Sequence, residues 1–192
     1  MKNKSYIDNR RNKINELRRL GEGLQFRDFL YRCEIFWMAT DDPKVLPLIA
    51  QAHALLGDKQ QADTIVQGIV ETEDICDNAN CLVDIAAVFI FLNQVETAIK
   101  CLQKALTIVP GHSLAKVRLG FSYLLKGDMP IAKKMFNSSI SARVKNPLLY
   151  DALIYSFLCR SENKQHQTIV THILECFDFD ERSGDEFSYA NG

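Results

Sequence analysis

Apolar residues along this chain recur at the i, i+3, i+4 spacing of amphipathic helices, in pairs of stretches divided by short polar turns. The run Leu82–Pro110 shows the pattern most fully. Its first half, to Leu92, is apolar almost throughout. After Asn93-Gln94 the second half keeps one apolar stripe through Ala98, Leu102 and Ala105 and turns lysines and glutamines the other way. This predicts two helices and a tight turn. The same alternation follows around Gly127-Asp128 and precedes it around Gly57-Asp58. The longest unbroken apolar run, Ile85–Leu92, falls far short of the ~20 residues needed to span a bilayer.

The pairs repeat. In a frame of about 34 residues counted from Ala79, Leu82, Ile85, Ala86 and Phe89 take positions 4, 7, 8 and 11. Ala98, Leu102, Ala105 and Pro110 take positions 20, 24, 27 and 32. The next frame, from Ser113, carries Leu119, Gly120, Tyr123, Gly127, Ala132, Phe136 and Ser139 in equivalent places, with Lys116 and Val144 as departures. An upstream frame from Pro43 carries Leu46, Ile49, Ala50, Ala62, Val66 and Ile69, with His53 in place of the aromatic at position 11. Two extra residues near Asp77-Asn78 separate it from the frame that follows. A fourth frame, from Pro147, keeps Tyr150, Leu153, Phe157, Ile169 and Ile173-Leu174 but has Ile154 and His166 where small residues belong. It reads as a divergent capping unit, as terminal repeats often are. One such helix pair cannot bury its apolar face alone, so neighbours must stack into a continuous core.

The large, large, small, large and small, large, small, Pro pattern resembles that of the tetratricopeptide repeat. The resemblance covers residues 43–176, as units 43–76, 79–112, 113–146 and 147–176. It implies an all-α fold, a right-handed superhelix of antiparallel helix pairs. Each unit's first helix (helix A) then lines a concave face, and its second (helix B) the outer face. By the same resemblance, positions 2, 5, 9, 12 and 13 of helix A make a partner groove. Here they include Val83, Ala87 and Ile90, then Leu114, Val117, Phe121 and Leu124, then Tyr155. The groove is mostly apolar, and soluble proteins rarely leave a large apolar patch bare. The family also includes domains that clamp acidic C-termini with Lys and Asn side chains. Val83, Asp84, Ala87 and Leu114 occupy those places here, and only Arg118 fits the pattern.

The flanks differ from the repeats. Residues 1–42 are a basic and aromatic helical extension. Lys2, Lys4, Arg10, Arg11, Lys13, Arg18 and Arg19 outweigh Asp8 and Glu16 to give +5 over residues 1–20. Phe26, Phe29, Leu30, Cys33, Phe36 and Trp37 then form one apolar stripe at helical spacing. The stripe suits packing on the first repeat, and also self-association, because aromatics are favoured in buried contact patches. Residues 177–192 carry −4 and read as a disordered acidic tail.

Overall, 23 basic against 24 acidic residues in 192 give a net charge of −1, which argues against nucleic acid as the partner. The N-terminus lacks the apolar core of a secretory signal, so a cytoplasmic location without membrane insertion is expected. The six cysteines form no C-x-x-C pair and no zinc-type cluster with the four histidines. They read as reduced packing residues, with Cys81, Cys101 and Cys159 inside apolar helical patterns. No phosphate-binding glycine loop, no G-x-S-x-G and no H-E-x-x-H occurs, and Cys176 with His172 has no orienting third group. Neither catalytic residues, metal nor cofactor is expected.

The expected function is therefore non-enzymatic: an adaptor or chaperone that holds a protein or peptide segment in the apolar groove. The alternative is a structural or regulatory subunit of a secretion or pilus-type assembly. The chain also resembles class II chaperones of type III secretion, which are small cytoplasmic tetratricopeptide proteins. It departs from them in having about four units rather than three. That resemblance implies a homodimer through the N-terminal helix, with Phe26, Phe29, Leu30, Phe36 and Trp37 as the contact stripe.

Overall fold

The computed structural model describes residues 4–21, 26–70 and 72–139. Residues 147–176 and 177–192, with Tyr155, Cys159, His166, His172 and Cys176, lie outside them. The described residues are helical, without strands. Helix α1 (Lys4–Gly21) and helix α2 (Phe26–Thr40) lead through a 3-10 turn at Pro43–Val45 into α3 (Leu46–Leu55) and α4 (Lys59–Ile69). A four-residue helix, α5 (Glu73–Cys76), precedes α6 (Ala79–Phe91) and α7 (Val95–Ile108). Helices α8 (Ser113–Leu125) and α9 (Met129–Ser139) complete the set.

The three pairs α3–α4, α6–α7 and α8–α9 fall one per unit of the repeat and pack side by side into a solenoid. Small residues sit where the two helices of a pair cross. Ala50 with Ala62 and Ala86 with Ala98 are fully buried, and Gly120 with Ala132 is buried in the third pair. A longer side chain at these points would hold the backbones apart.

The turn inside each pair uses the left-handed region. Gly57 (φ 88°), Asn93 (φ 61°) and Gly127 (φ 86°) occupy equivalent places. Glycine enters this region without steric cost, and Asn is among the few other residues that tolerate it. In the first and third pairs the second helix then starts on a capping aspartate, whereas Gln94 before α7 gives no side-chain cap. Asp58 accepts from the Gln61 N–H at 3.2 Å, and Asp128 from the Ile131 N–H at 3.2 Å. These bonds satisfy donors that a helix start leaves open.

Helix α6 is the centre of the core. Every residue from Cys81 to Phe91 is buried. From Cys81 onward its sequence is apolar all round except for Asp84, the signature of an enclosed helix. Helix α7 buries only Val95, Ala98, Ile99, Cys101, Leu102 and Ala105, and shows Lys100, Gln103 and Lys104 to water. The inserted α5 fills the longer link before α6 and sends Ile75, fully buried, into the same core.

The N-terminal extension continues the stack. Helix α2 packs on α3, as α7 packs on α8. Phe29, Cys33 and Phe36 join Val45, Leu48, Ile49 and Ala52 in a second cluster, with Ile14 and Leu17 of α1. The aromatic stripe is thus spent inside the chain. Phe29 is 1% exposed and Phe36 9%, while Phe26, Leu30 and Trp37 are half-buried against the two clusters. In this chain Phe29 and Phe36 are packed on the first repeat and are not open surface. The apolar side chains that α2 leaves open are instead Tyr31, Ile35 and Met38.

Candidate functional site

The helix A face is built by α3, α6 and α8, each held by its own helix B and by its neighbours. Val83, Ala87 and Ile90 of α6 are each 1% exposed. On α8, Val117 is 3%, Phe121 0% and Leu124 5% exposed, and Leu114 is half-buried in the first turn. Tyr155 lies outside the described residues. The sequence expected this apolar face to be covered, by a partner segment, another subunit or the chain's own C-terminal helix. In the structure Val83, Ala87, Ile90, Val117, Phe121 and Leu124 are out of water, while Leu114 is half-buried and Asn80, at the start of α6, is exposed. This answers the cost of bare apolar surface.

One charged group lies inside this packing. Asp84 of α6, 4% exposed, accepts from Arg18 Nε of α1 at 2.8 Å. Its other oxygen stands 3.9 Å from Arg118 Nη1 of α8, and that nitrogen donates to the Val83 carbonyl at 2.9 Å. Arg118, 6% exposed, matched the carboxylate-clamp pattern in sequence. Its guanidinium turns into the core, so it is not a clamp residue. The network ties three helices of different units together: α1, α6 and α8. Ser122, fully buried, gives its hydroxyl to the Arg118 carbonyl at 2.8 Å and needs no outside partner.

At the N-terminal ends of α6 and α8, His112 caps α8. Its Nδ1 accepts the Ala115 N–H at 3.2 Å, and its Nε2 meets Asn80 Oδ1 at 3.0 Å. Those two bonds require the neutral ring with the proton on Nε2. Burial also holds the imidazole below its ordinary value of 6.5, outweighing the opposite pull of Asp84. The folded chain therefore binds fewer protons here than the unfolded one in mildly acid solution. The contribution is complete above about pH 6.5 and is lost as pH falls toward the folded value. The thermal midpoint is expected to drop between pH 7 and pH 5. In His112→Asn, whose cap does not titrate, the part of that slope due to this ring should vanish. An equal slope in the two proteins would contradict the assignment.

Three described cysteines behave as packing groups. Cys33, Cys81 and Cys101 are buried, and burial pushes the Cys33 and Cys81 thiols up to about 12. Thiols so far from their thiolate form are poor nucleophiles. Among the described residues no three His, Cys, Asp or Glu side chains cluster to hold a metal ion. No described helix is long and apolar enough to cross a membrane.

Sequence reasoning missed a cleft of about 470 Å³ between α1 and the starts of the first two repeats. Arg10, Arg11 and Arg18 line one wall, and Lys44, Asn78 and Asn80 stand on the other. The basic run of residues 1–20 was its only trace in sequence.

Among solved structures, the fold is similar to that of TTC0263, a thermophilic TPR protein of Thermus thermophilus. The TM-score is 0.60 at 15% identity, over 90% of this chain and 94% of that one. The TPR-like repeats of a kinesin light chain from Podospora anserina match at TM-score 0.51 and 13% identity, over 96% and 100% of the two chains. MamA matches at TM-score 0.50 and 14% identity, over 83% and 91%. No protein-family model matches the sequence, and no curated protein does.

Proposed function

We propose that this chain, a solenoid of the tetratricopeptide repeat type, is a protein–protein interaction module that holds a partner segment on its helix A face. The observation that carries the reading is the recurrence of apolar side chains at the same face positions in successive units. Val83, Ala87 and Ile90 in one unit are followed by Val117, Phe121 and Leu124 in the next. Because these groups are out of water in the free chain, the partner takes the face by exchange, not by filling an open channel. An adaptor or chaperone works in this way, with the partner segment replacing one apolar cover by another. Affinity then reflects the difference between two covers, which favours release.

The test needs a variant that spares the fold. Leu114 is half-buried at the rim, in the first turn of α8, where a carboxylate is tolerated by the helix N-terminus. Leu114→Asp should lose at least tenfold in binding to the partner co-purified from the source cell, with unchanged helical circular dichroism. Gln103→Asp, on the exposed side of α7, should bind as the native chain does. Loss in the second variant and not the first would place the partner on the outer face and reject the reading.

The open stripe on α2 favours a second reading, that of a subunit in a larger assembly. Tyr31, Ile35 and Met38 are 61%, 43% and 75% exposed and stand at i, i+4 and i+7 on one side. Self-association through the N-terminal pair would use these residues, with Phe26, Leu30 and Trp37 supporting from beneath. Light scattering of Ile35→Glu should then show a smaller species than the native chain, and a monomeric native chain would exclude it.

A further inference from the structure

The repeats supply almost no cations to their concave face, yet the N-terminal extension brings several to one place. Arg10 donates from Nη2 to the Thr40 carbonyl at 2.9 Å and stands 3.2 Å from Asp42 Oδ2. Arg18 is engaged with Asp84 and, from Nη1, with Asn15 Oδ1 at 2.9 Å. These two arginines are fixed in the wall of the cleft, their charges balanced by the carboxylates they meet. Arg11 and Lys44, which also line it, meet no carboxylate side chain within ion-pair distance among the described residues. Asn78 and Asn80 line the cleft at the start of α6; their side-chain oxygens are taken by the Cys81 N–H and by His112 Nε2, which leaves their amide N–H groups as donors for an anion. The cleft thus holds four cations against one lining carboxylate, Asp42, and two of the four are uncommitted.

We propose that this cleft binds a carboxylate-rich extended segment of a partner protein. The proposal rests on the reading of the chain as an interaction module and names a second contact, where α1 meets the rim of the helix A face at the starts of the first two units. Charge complementarity identifies the chemistry. In an extended peptide, side chains two residues apart lie on one side, about 7 Å from each other. An Asp-x-Asp sequence presents two carboxylates on one side, one for each of Arg11 and Lys44, while Ile14 in the wall offers apolar contact to a neighbouring side chain. A long nucleic acid would need a basic stripe continuing beyond the cleft. Helices α3 and α4 contribute only Lys59 and His53 to such a path.

The test uses the full chain and a fluorescein-labelled decapeptide alternating Asp and Phe, followed by fluorescence anisotropy at physiological salt. Saturable binding is expected, weakened at least tenfold by Arg11→Glu with Lys44→Glu and unchanged by Lys100→Glu on the outer face. Circular dichroism checks that the double variant is folded, and Leu114→Asp should leave peptide binding intact, which separates this site from the apolar contact at Leu114. Absence of binding, or equal binding by the double variant, would overturn the proposal. So would tighter binding of a ten-nucleotide single strand with the same dependence on Arg11 and Lys44. A further arm fixes the source of the acid. The chain's own residues 177–192 are acidic, and neutralising their five carboxylates should leave peptide affinity unchanged. A tenfold gain would assign the cleft to that segment and overturn a partner as its occupant.

Discussion

Replacing Asp84 by alanine is expected to destabilise the chain by about 3–5 kcal/mol, the usual effect of removing one partner of a buried ion pair. Asp84 is 4% exposed and faces Arg18 at 2.8 Å and Arg118 at 3.9 Å. Without it, two guanidinium groups lose the carboxylate between them, and water cannot readily reach Arg118. Asp84→Asn should cost less, since its amide oxygen can still accept from Arg18 Nε. Arg18→Ala should also cost less, because the Arg18 side chain is 21% exposed and its loss frees α1 before it disturbs the repeats. Urea unfolding of the three variants checks the order. A change below about 1 kcal/mol for Asp84→Ala would show that the pair is solvated and worth no more than a surface pair.

Phe89→Ala is the second large effect, expected at about 3–5 kcal/mol for a buried aromatic. Phe89 is 1% exposed in α6, and its removal opens a cavity in the unit that joins both neighbours. In a stacked array, stability is close to a sum of unit and interface terms, so damage at the middle uncouples the ends. The urea transition of Phe89→Ala should broaden as well as shift. Phe36→Ala, in the N-terminal cluster, should instead release α1 and α2 while the main transition stays sharp. Equal and equally sharp transitions would mean that the described helices unfold as one block.

The repeat was legible because its signals are local. Ala86 and Ala98, or Phe89 and Leu102, lie within a dozen or so residues of each other, and the turn at Asn93 marks where the helix period restarts. The inward packing of the α2 stripe was legible for the same reason. The part that escaped depends on distance along the chain. Arg18 and Asp84 are 66 residues apart, and nothing near either shows that they meet. Hence the basic head read as a helical extension with a charged face, with no sign that it walls a cleft. Arg118 fitted a surface pattern by position, but its direction is set by Asp84 on the neighbouring helix. The partner groove was inferred from residue type and family position alone. Apolar side chains mark a face that must be covered, without saying that a partner is what covers it. The short helix α5 gave only a faint sign, the two extra residues near Asp77-Asn78.

The central claim is that a partner segment lies on the helix A face. Its most direct test is photo-crosslinking in the source cell, with a benzophenone side chain placed at position 114 or at position 103. The account predicts a crosslinked partner from position 114, on the rim of α8, and none from position 103, on the exposed side of α7. A crosslink from position 103 with none from position 114 would contradict it.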